Sequence, residues 1–99
     1  MKTIFISVGM HSRSDYEVCE ELARAYRELR SMYGEAIKIL DNFRMENTGE
    51  HSRLYYLGEA IKKLGECDAC YFCKGWRNYR GCIVEHTVCQ LYGIEIIEE

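Results

Sequence analysis

The chain has 99 residues, 47% of them apolar, six cysteines and no proline, a size and make-up that fit a single domain (1–99) around one core. A net charge of −3 and a pI near 5.6 exclude the broadly basic face by which proteins track nucleic-acid polymers. No apolar run approaches the length of a membrane span, and Met1-Lys2-Thr3 lacks the apolar stretch and cleavage site of a signal peptide. A cytoplasmic protein that does not associate with membranes is therefore expected, with its cysteines as free thiols.

Residues 3–8, TIFISV, are β-branched and aromatic and stop at Gly9, the pattern of a strand covered on both faces. A polar loop, GMHSRS, leads to Ser14 and Glu17, a capping box, after which Val18, Cys19, Leu22, Ala25, Tyr26, Leu29 and Tyr33 recur at helical spacing up to Gly34. A second strand is expected at 36–40, AIKIL. The polar stretch 41–52, DNFRMENTGEHS, has no periodicity and reads as a connection that could serve as a lid. Ser52 caps a third segment in which Leu54, Leu57, Ile61 and Leu64 form one stripe ending near Gly65. A strand follows at 68–73, then a loop from Lys74 to Tyr79, a helix over 80–92 stopped by Gly93, and a last strand at 94–97.

Strands alternating with helices argue an α/β domain of three layers, Rossmann- or flavodoxin-like, with a mainly parallel four-stranded sheet. In such sheets ligands sit beyond the carboxyl ends of the strands. Three segments should meet there: Ser7 to Ser14, residues 41–52, and Lys74 to Glu85. From these, Ser7, Gly9, Met10, His11, Arg13, Gly75, Trp76, Arg80 and Gly81 are the candidate substrate contacts. His11, Arg13, Lys74, Arg77 and Arg80 bring polar or basic groups suited to an anion beside a helix N-terminus, or are ordinary loop polarity. Trp76 either stacks on a ring of the ligand or covers the end of the sheet.

In the segment RGCIVEH, Glu85 lies about 100° round the helix from Val84, at the border of the stripe expected from Val84, Val88 and Leu91. A carboxylate in the second turn of a helix that faces the pocket is placed to act as nucleophile or general base. From the residues alone, a solvated or salt-bridged helix glutamate is the commoner occupant of such a position. Burial there raises its pKa and the helix N-terminus lowers it. Cys67, Cys70 and Cys73 have the two-residue spacings of a metal run, but in a strand residues 70 and 73 point to opposite faces, so no metal site is expected. Cys82, His86 and Cys89 share a helical face, as a packing surface, a subunit contact or a less favoured metal set.

Taken together, FISVGM, YYLGEAIKKLGECDACYFCKGW and NYRGCIVEHTVCQLYGIEII resemble the short bacterial and phage domains of unknown function allied to the nucleoside 2-deoxyribosyltransferases. The likeness is weakest over 35–52 and strongest from CDACYFCKGW to RGCIVEH. It implies that Glu85 is the nucleophile that attacks the anomeric carbon of a deoxyribonucleoside or its 5′-monophosphate, with no cofactor and in a homo-oligomer. Several positions depart from the family's pattern: Tyr79 stands where an aspartate is usual, Phe5 where a tyrosine is common, Ala60 near another aspartate, and Val8-Gly9 replaces Gly-Pro. Asp68, at the start of its strand, is expected to be structural. The readings that follow are an N-glycosidase or deoxyribosyltransferase with other helpers (His11, Asp41 or His51), a nucleoside- or nucleotide-binding domain without turnover, and an oligomeric scaffold built on Cys82, Glu85, His86 and Cys89.

Overall fold

The computed structural model describes residues 1–43 and 51–99. Strand β1 (Lys2–Ser7) is followed by helix α1 (Asp15–Tyr33), β2 (Ile37–Asp41), α2 (Arg53–Leu64), β3 (Ala69–Phe72), a short 3₁₀ turn (Trp76–Asn78), α3 (Arg80–Tyr92) and β4 (Glu95–Glu98). The four strands form one all-parallel sheet in the order β2-β1-β3-β4. This is the α/β class and Rossmann/flavodoxin-like arrangement expected from the alternating pattern. Strand ends differ from the sequence reading by a residue or so. Most of the proposed lid, residues 44–50, lies outside the described residues.

Period-two alternation divides the sheet between two cores. Ile4, Ile6, Val8, Ala69, Tyr71 and Cys73 point to one face and meet Val18, Leu22, Ala25 and Leu29 of α1. Phe5, Cys70 and Phe72 point to the other, against Ala60 and Leu64 of α2 and Cys82 and Cys89 of α3. Cys70 and Cys73 thus fall in different cores, as their strand spacing requires. Asp68 fastens the amino ends of β1 and β3: it accepts from the Thr3 amide at 2.8 Å, and its own amide donates to the Thr3 carbonyl at 2.8 Å. That is a structural task, at the end of the sheet opposite the site.

The helix boundaries follow local chemistry. Ser14 and Glu17 close a reciprocal capping box at α1, and Ser52 accepts from the Tyr55 amide to open α2. Gly93, at φ +71, ends α3 in the left-handed conformation that glycine adopts without strain.

Two facial assignments need correction. Leu54, expected in the α2 stripe, is exposed, and the buried positions of that helix are Ala60 and Leu64. In α3 the expected stripe is split: Val84 and Leu91 are exposed and Val88 is half-buried against the core, while Cys82, Glu85 and Cys89 face the sheet. The large rings of Phe5, Phe72 and Trp76 already fill this layer, so the side of the helix with short cysteine side chains fits against it, and free cysteine is among the most buried residue types. Of the face that the scaffold reading invokes, Cys82, Glu85 and Cys89 are buried against the sheet and His86 is half-buried.

Candidate functional site

In this strand order the chain leaves β1 toward β2 on one side and leaves β3 toward β4 on the other. The connections diverge between β1 and β3, and the crevice beyond their carboxyl ends is where parallel α/β sheets place ligands. Ser7 closes β1 at this point and pairs in register with Phe72, the last residue of β3. Because Phe5 faces α2 and α3, Ser7, two residues on, faces the same way. Glu85 comes down from the second turn of α3 to meet it.

Among the described residues Ser7 and Glu85 are the fully buried polar pair, each with 0% exposure. The Ser7 hydroxyl donates to Glu85 Oε1 at 2.6 Å, while Oε2 is enclosed with no hydrogen-bond partner among the described residues. Burial pushes the Glu85 carboxyl up from 4.5 to about 7, and the Ser7 hydrogen bond works the other way by favouring the charged form. No cation among the described residues contributes to holding that charge. Its ionisable surroundings are thiols. The carboxylate is felt at Cys70, Cys82 and Cys89. Burial pushes Cys82 up to about 11, and Cys70 is likewise raised by burial and hydrogen-bonded to Cys89. Burial keeps the Cys70 and Cys82 thiols protonated near neutral pH, whereas the hydrogen bond with Cys70 lowers the Cys89 thiol from its ordinary value.

Gly9 lies directly under the ring of Tyr79. A Cβ on Gly9 would stand 2.2 Å from Tyr79 Cδ2, so only glycine permits this approach. Tyr79, at the position where the resembled family has an aspartate, immediately precedes α3 and thereby sits on the loop that follows Ser7. At the end of β2 a cavity of about 240 Å³ is lined by Asn42, Phe43, Tyr56, Glu59, Ala60 and Lys63, with neither Ser7 nor Glu85 in its lining. The Asn42 amide nitrogen reaches the Val8 carbonyl at 3.4 Å, and its buried Oδ1 has no partner among the described residues.

The remaining candidate contacts are dispersed. Met10 and His11 are exposed on the turn after β1. Arg13 is engaged within the fold, donating to the Gly9 carbonyl at 2.9 Å and pairing with Glu21 at 2.6 Å. Gly75, at φ +83, turns the chain into Trp76. Trp76 is largely buried: one ring face stacks on His86 at 4.0 Å, the Arg77 guanidinium lies over the ring at 4.5 Å, and its indole N–H donates to Glu98. This is the covering role for the tryptophan, at the β4 side of the sheet end. Arg80 is exposed at the start of α3, and Gly81 packs near Leu57 of α2. Ser7, Gly9 and Glu85 are therefore the predicted residues that the fold brings together at the crevice.

Sequence reasoning put Cys82, Glu85 and Cys89 on one helical face, as a packing surface or subunit contact and not as a lining around the carboxyl, and it did not single out Asn42. Cys82, Glu85 and Cys89 lie at i, i+3 and i+7, the spacing of one helix face, and this signal was available. Nothing local marks Asn42. Glu21, Cys73 and Glu99 also converge within 4.8 Å. Both carboxylates are already paired with arginines and burial pushes the Cys73 thiol up to about 12, so the group is electrostatically satisfied as it stands. No family model, curated protein or solved structure matches the chain. Among the described residues no helix is long and apolar enough to cross a membrane.

Proposed function

We propose that the chain acts on the N-glycosidic bond of a nucleoside or nucleotide, as an N-glycosidase or 2-deoxyribosyltransferase, with Glu85 as the nucleophile. The observation that carries this reading is the Glu85 carboxyl itself: buried at the diverging point of a parallel sheet, held through Oε1 by Ser7, and with Oε2 unpartnered. A buried, half-satisfied carboxyl costs stability, and such groups are found where chemistry needs them. The six free thiols suit a reducing, cytoplasmic setting.

In this reading the ionised Glu85 attacks the anomeric carbon with Oε2. The carbon–nitrogen bond breaks, its electron pair leaves with the base, and the base takes up a proton. Water, or a second base, then attacks the same carbon and releases the carboxylate, so configuration is retained over the two displacements. The cavity at the end of β2, which Glu85 does not line, is the place this reading gives to the leaving base. Its aromatic walls, Phe43 and Tyr56, and the unpaired Asn42 carbonyl suit a planar ring that bears an N–H donor. Attack requires the ionised carboxyl, so turnover rises with pH through about 7.

Incubation with a panel of deoxynucleosides and their 5′-monophosphates, followed by chromatography of free base, tests the proposal. Wild type should release base from at least one member, and Glu85→Gln should be slower by roughly 10³-fold or more, the scale of loss when a nucleophile is removed. No cleavage of any member would remove the enzymatic reading.

A second reading, binding without turnover, is favoured by the enclosure of Glu85 together with the Tyr79 ring resting on Gly9. It predicts that a nucleotide raises the melting temperature while no base appears. Absence of any thermal shift across the same panel would reject it.

A further inference from the structure

All six cysteines are free thiols, and every one but Cys19 is buried. Cys67, Cys70, Cys82 and Cys89 lie together in the layer between the sheet and helices α2 and α3. Their partners differ. Cys67 Sγ reaches the Lys63 carbonyl of α2 at 3.3 Å, and Cys82 is hydrogen-bonded to Ser7. Cys73 points into the opposite core, and Cys19 is exposed on α1. Of the six, Cys70 and Cys89 have each other as partner: their side chains are hydrogen-bonded across the interface of β3 and α3, at exposures of 0% and 1%.

We propose that Cys70 and Cys89 are a redox-active dithiol, oxidised by hydrogen peroxide to a reversible disulfide that fastens the helix carrying Glu85 to the middle of the sheet. Cys70 is held on both sides, opposite Phe5 of β1 and Ile96 of β4. Cys89 lies one turn beyond Glu85 on the same helix face, and its carbonyl accepts from the amides of Gly93 and Ile94 where α3 ends. Oxidation must shorten a sulfur hydrogen bond to about 2.05 Å, and the movement falls to the helix. Its last turn is free to supply it, because Leu91 and Tyr92 are exposed while the strand is locked in the sheet. That end also admits peroxide, a molecule little larger than water, when it frays.

The two thiols are unlike in acidity, since the hydrogen bond lowers Cys89 and burial raises Cys70, so Cys89 attacks and Cys70 resolves. The Cys89 sulfur, as thiolate, attacks one peroxide oxygen; the O–O bond breaks, the departing hydroxide takes up the thiol proton as water, and Cys89 holds a sulfenic acid. The Cys70 sulfur then attacks the Cys89 sulfur, the S–O bond breaks, and the hydroxide leaves with the Cys70 proton as a second water. Two thiols have given up two hydrogens and two electrons, and one peroxide has become two waters. A small thiol reverses the bond by exchange. In a reducing compartment such a disulfide is transient, as in a sensor, and not a permanent bridge. This proposal is independent of the chemistry assigned to Glu85.

The test treats the Cys19→Ser protein, which lacks the exposed thiol, with a small excess of hydrogen peroxide, alkylates it in denaturant and maps its peptides by mass spectrometry without reduction. The expected product lacks two hydrogens, joins the peptides of Cys70 and Cys89, and returns to free thiols with dithiothreitol. Because the bond closes a loop of about 20 residues, the oxidised protein should melt roughly 10 °C above the reduced one. Cys89→Ala in the same background should form no disulfide, and mapping of the parent decides the pairing even where that variant does not fold. A bridge through Cys67, a disulfide that survives Cys89→Ala, or oxidation that ends at sulfinic acid with no bridge would overturn the proposal. An oxidised protein that melts no higher than the reduced one would overturn the fastening of α3.

Discussion

Alternate residues of the same strands build two unlike faces. Toward α1 the sheet presents Ile4, Ile6, Val8 and Tyr71 to Val18, Leu22, Ala25 and Leu29, an interface made largely of hydrocarbon. Toward α3 it presents Ser7, Cys70 and Phe72, and the helix answers with Cys82, Glu85 and Cys89. The first face gains stability from apolar area removed from water. The second encloses a carboxyl that folding alone would not select, and the difference shows where the molecule carries stability and where it carries chemistry. Substitutions on the two faces should respond differently to pH, and that is how the contrast can be broken or sharpened.

The largest stability effect belongs to the α1 face. Leu29 is fully buried there, and Leu29→Ala should cost about 2–5 kcal/mol in urea unfolding, equally at pH 5 and pH 8. A pH-dependent loss would show that the faces are not separable.

Next is Glu85→Gln. The folded carboxyl titrates at about 7 against 4.5 in an unperturbed chain, so the fold retains a proton that the unfolded chain releases between those values. Wild-type stability contributed by this group is complete below about pH 4.5, declines toward pH 7 and is level above it. The 2.5-unit difference corresponds to about 3 kcal/mol. Glu85→Gln, which cannot ionise, should therefore be more stable than wild type at pH 8 by up to that amount, and the gain should shrink toward zero near pH 4.5. Chemical denaturation across this range measures it, and equal slopes for the two proteins would contradict the burial of an uncompensated carboxyl.

A smaller effect is expected from Ser7→Ala. The Ser7 hydroxyl favours the charged form of Glu85, so its removal should move the Glu85 midpoint above about 7, visible by carbon NMR of the side-chain carboxyl. The accompanying loss at pH 8 is about 1–2 kcal/mol, the value of a hydrogen bond to a charged group, and less at pH 5. A midpoint that falls instead would show that Ser7 does not serve the carboxylate.

Much of the architecture could be read directly. The capping box at Ser14 and Glu17, the stops at Gly34 and Gly93 and the β-branched run of β1 are local signals, and each appears where its chemistry places it. The facing of α3 was not legible, because Val84, Val88 and Leu91 offer a stripe of larger apolar side chains than Cys82 and Cys89. What decided the rotation was the bulk of Phe72 and Trp76 across the layer, a tertiary fact. Glu85 could be placed at the sheet's carboxyl end from topology, but its pairing with Ser7 depends on the register of β1 against β3. Asn42 was invisible for a related reason: its significance lies in an unpaired carbonyl, which only the packing around it creates.

The central claim, that Glu85 bonds to the sugar during turnover, is tested most directly by trapping the covalent intermediate. A 2-deoxy-2-fluoro analogue of a cleaved nucleoside slows the second displacement, and intact-protein mass spectrometry with peptide mapping then locates the adduct. The account predicts a single fluorosugar on the peptide that contains Glu85, absent from Glu85→Gln. Base release without an adduct, or an adduct on another residue, would contradict it.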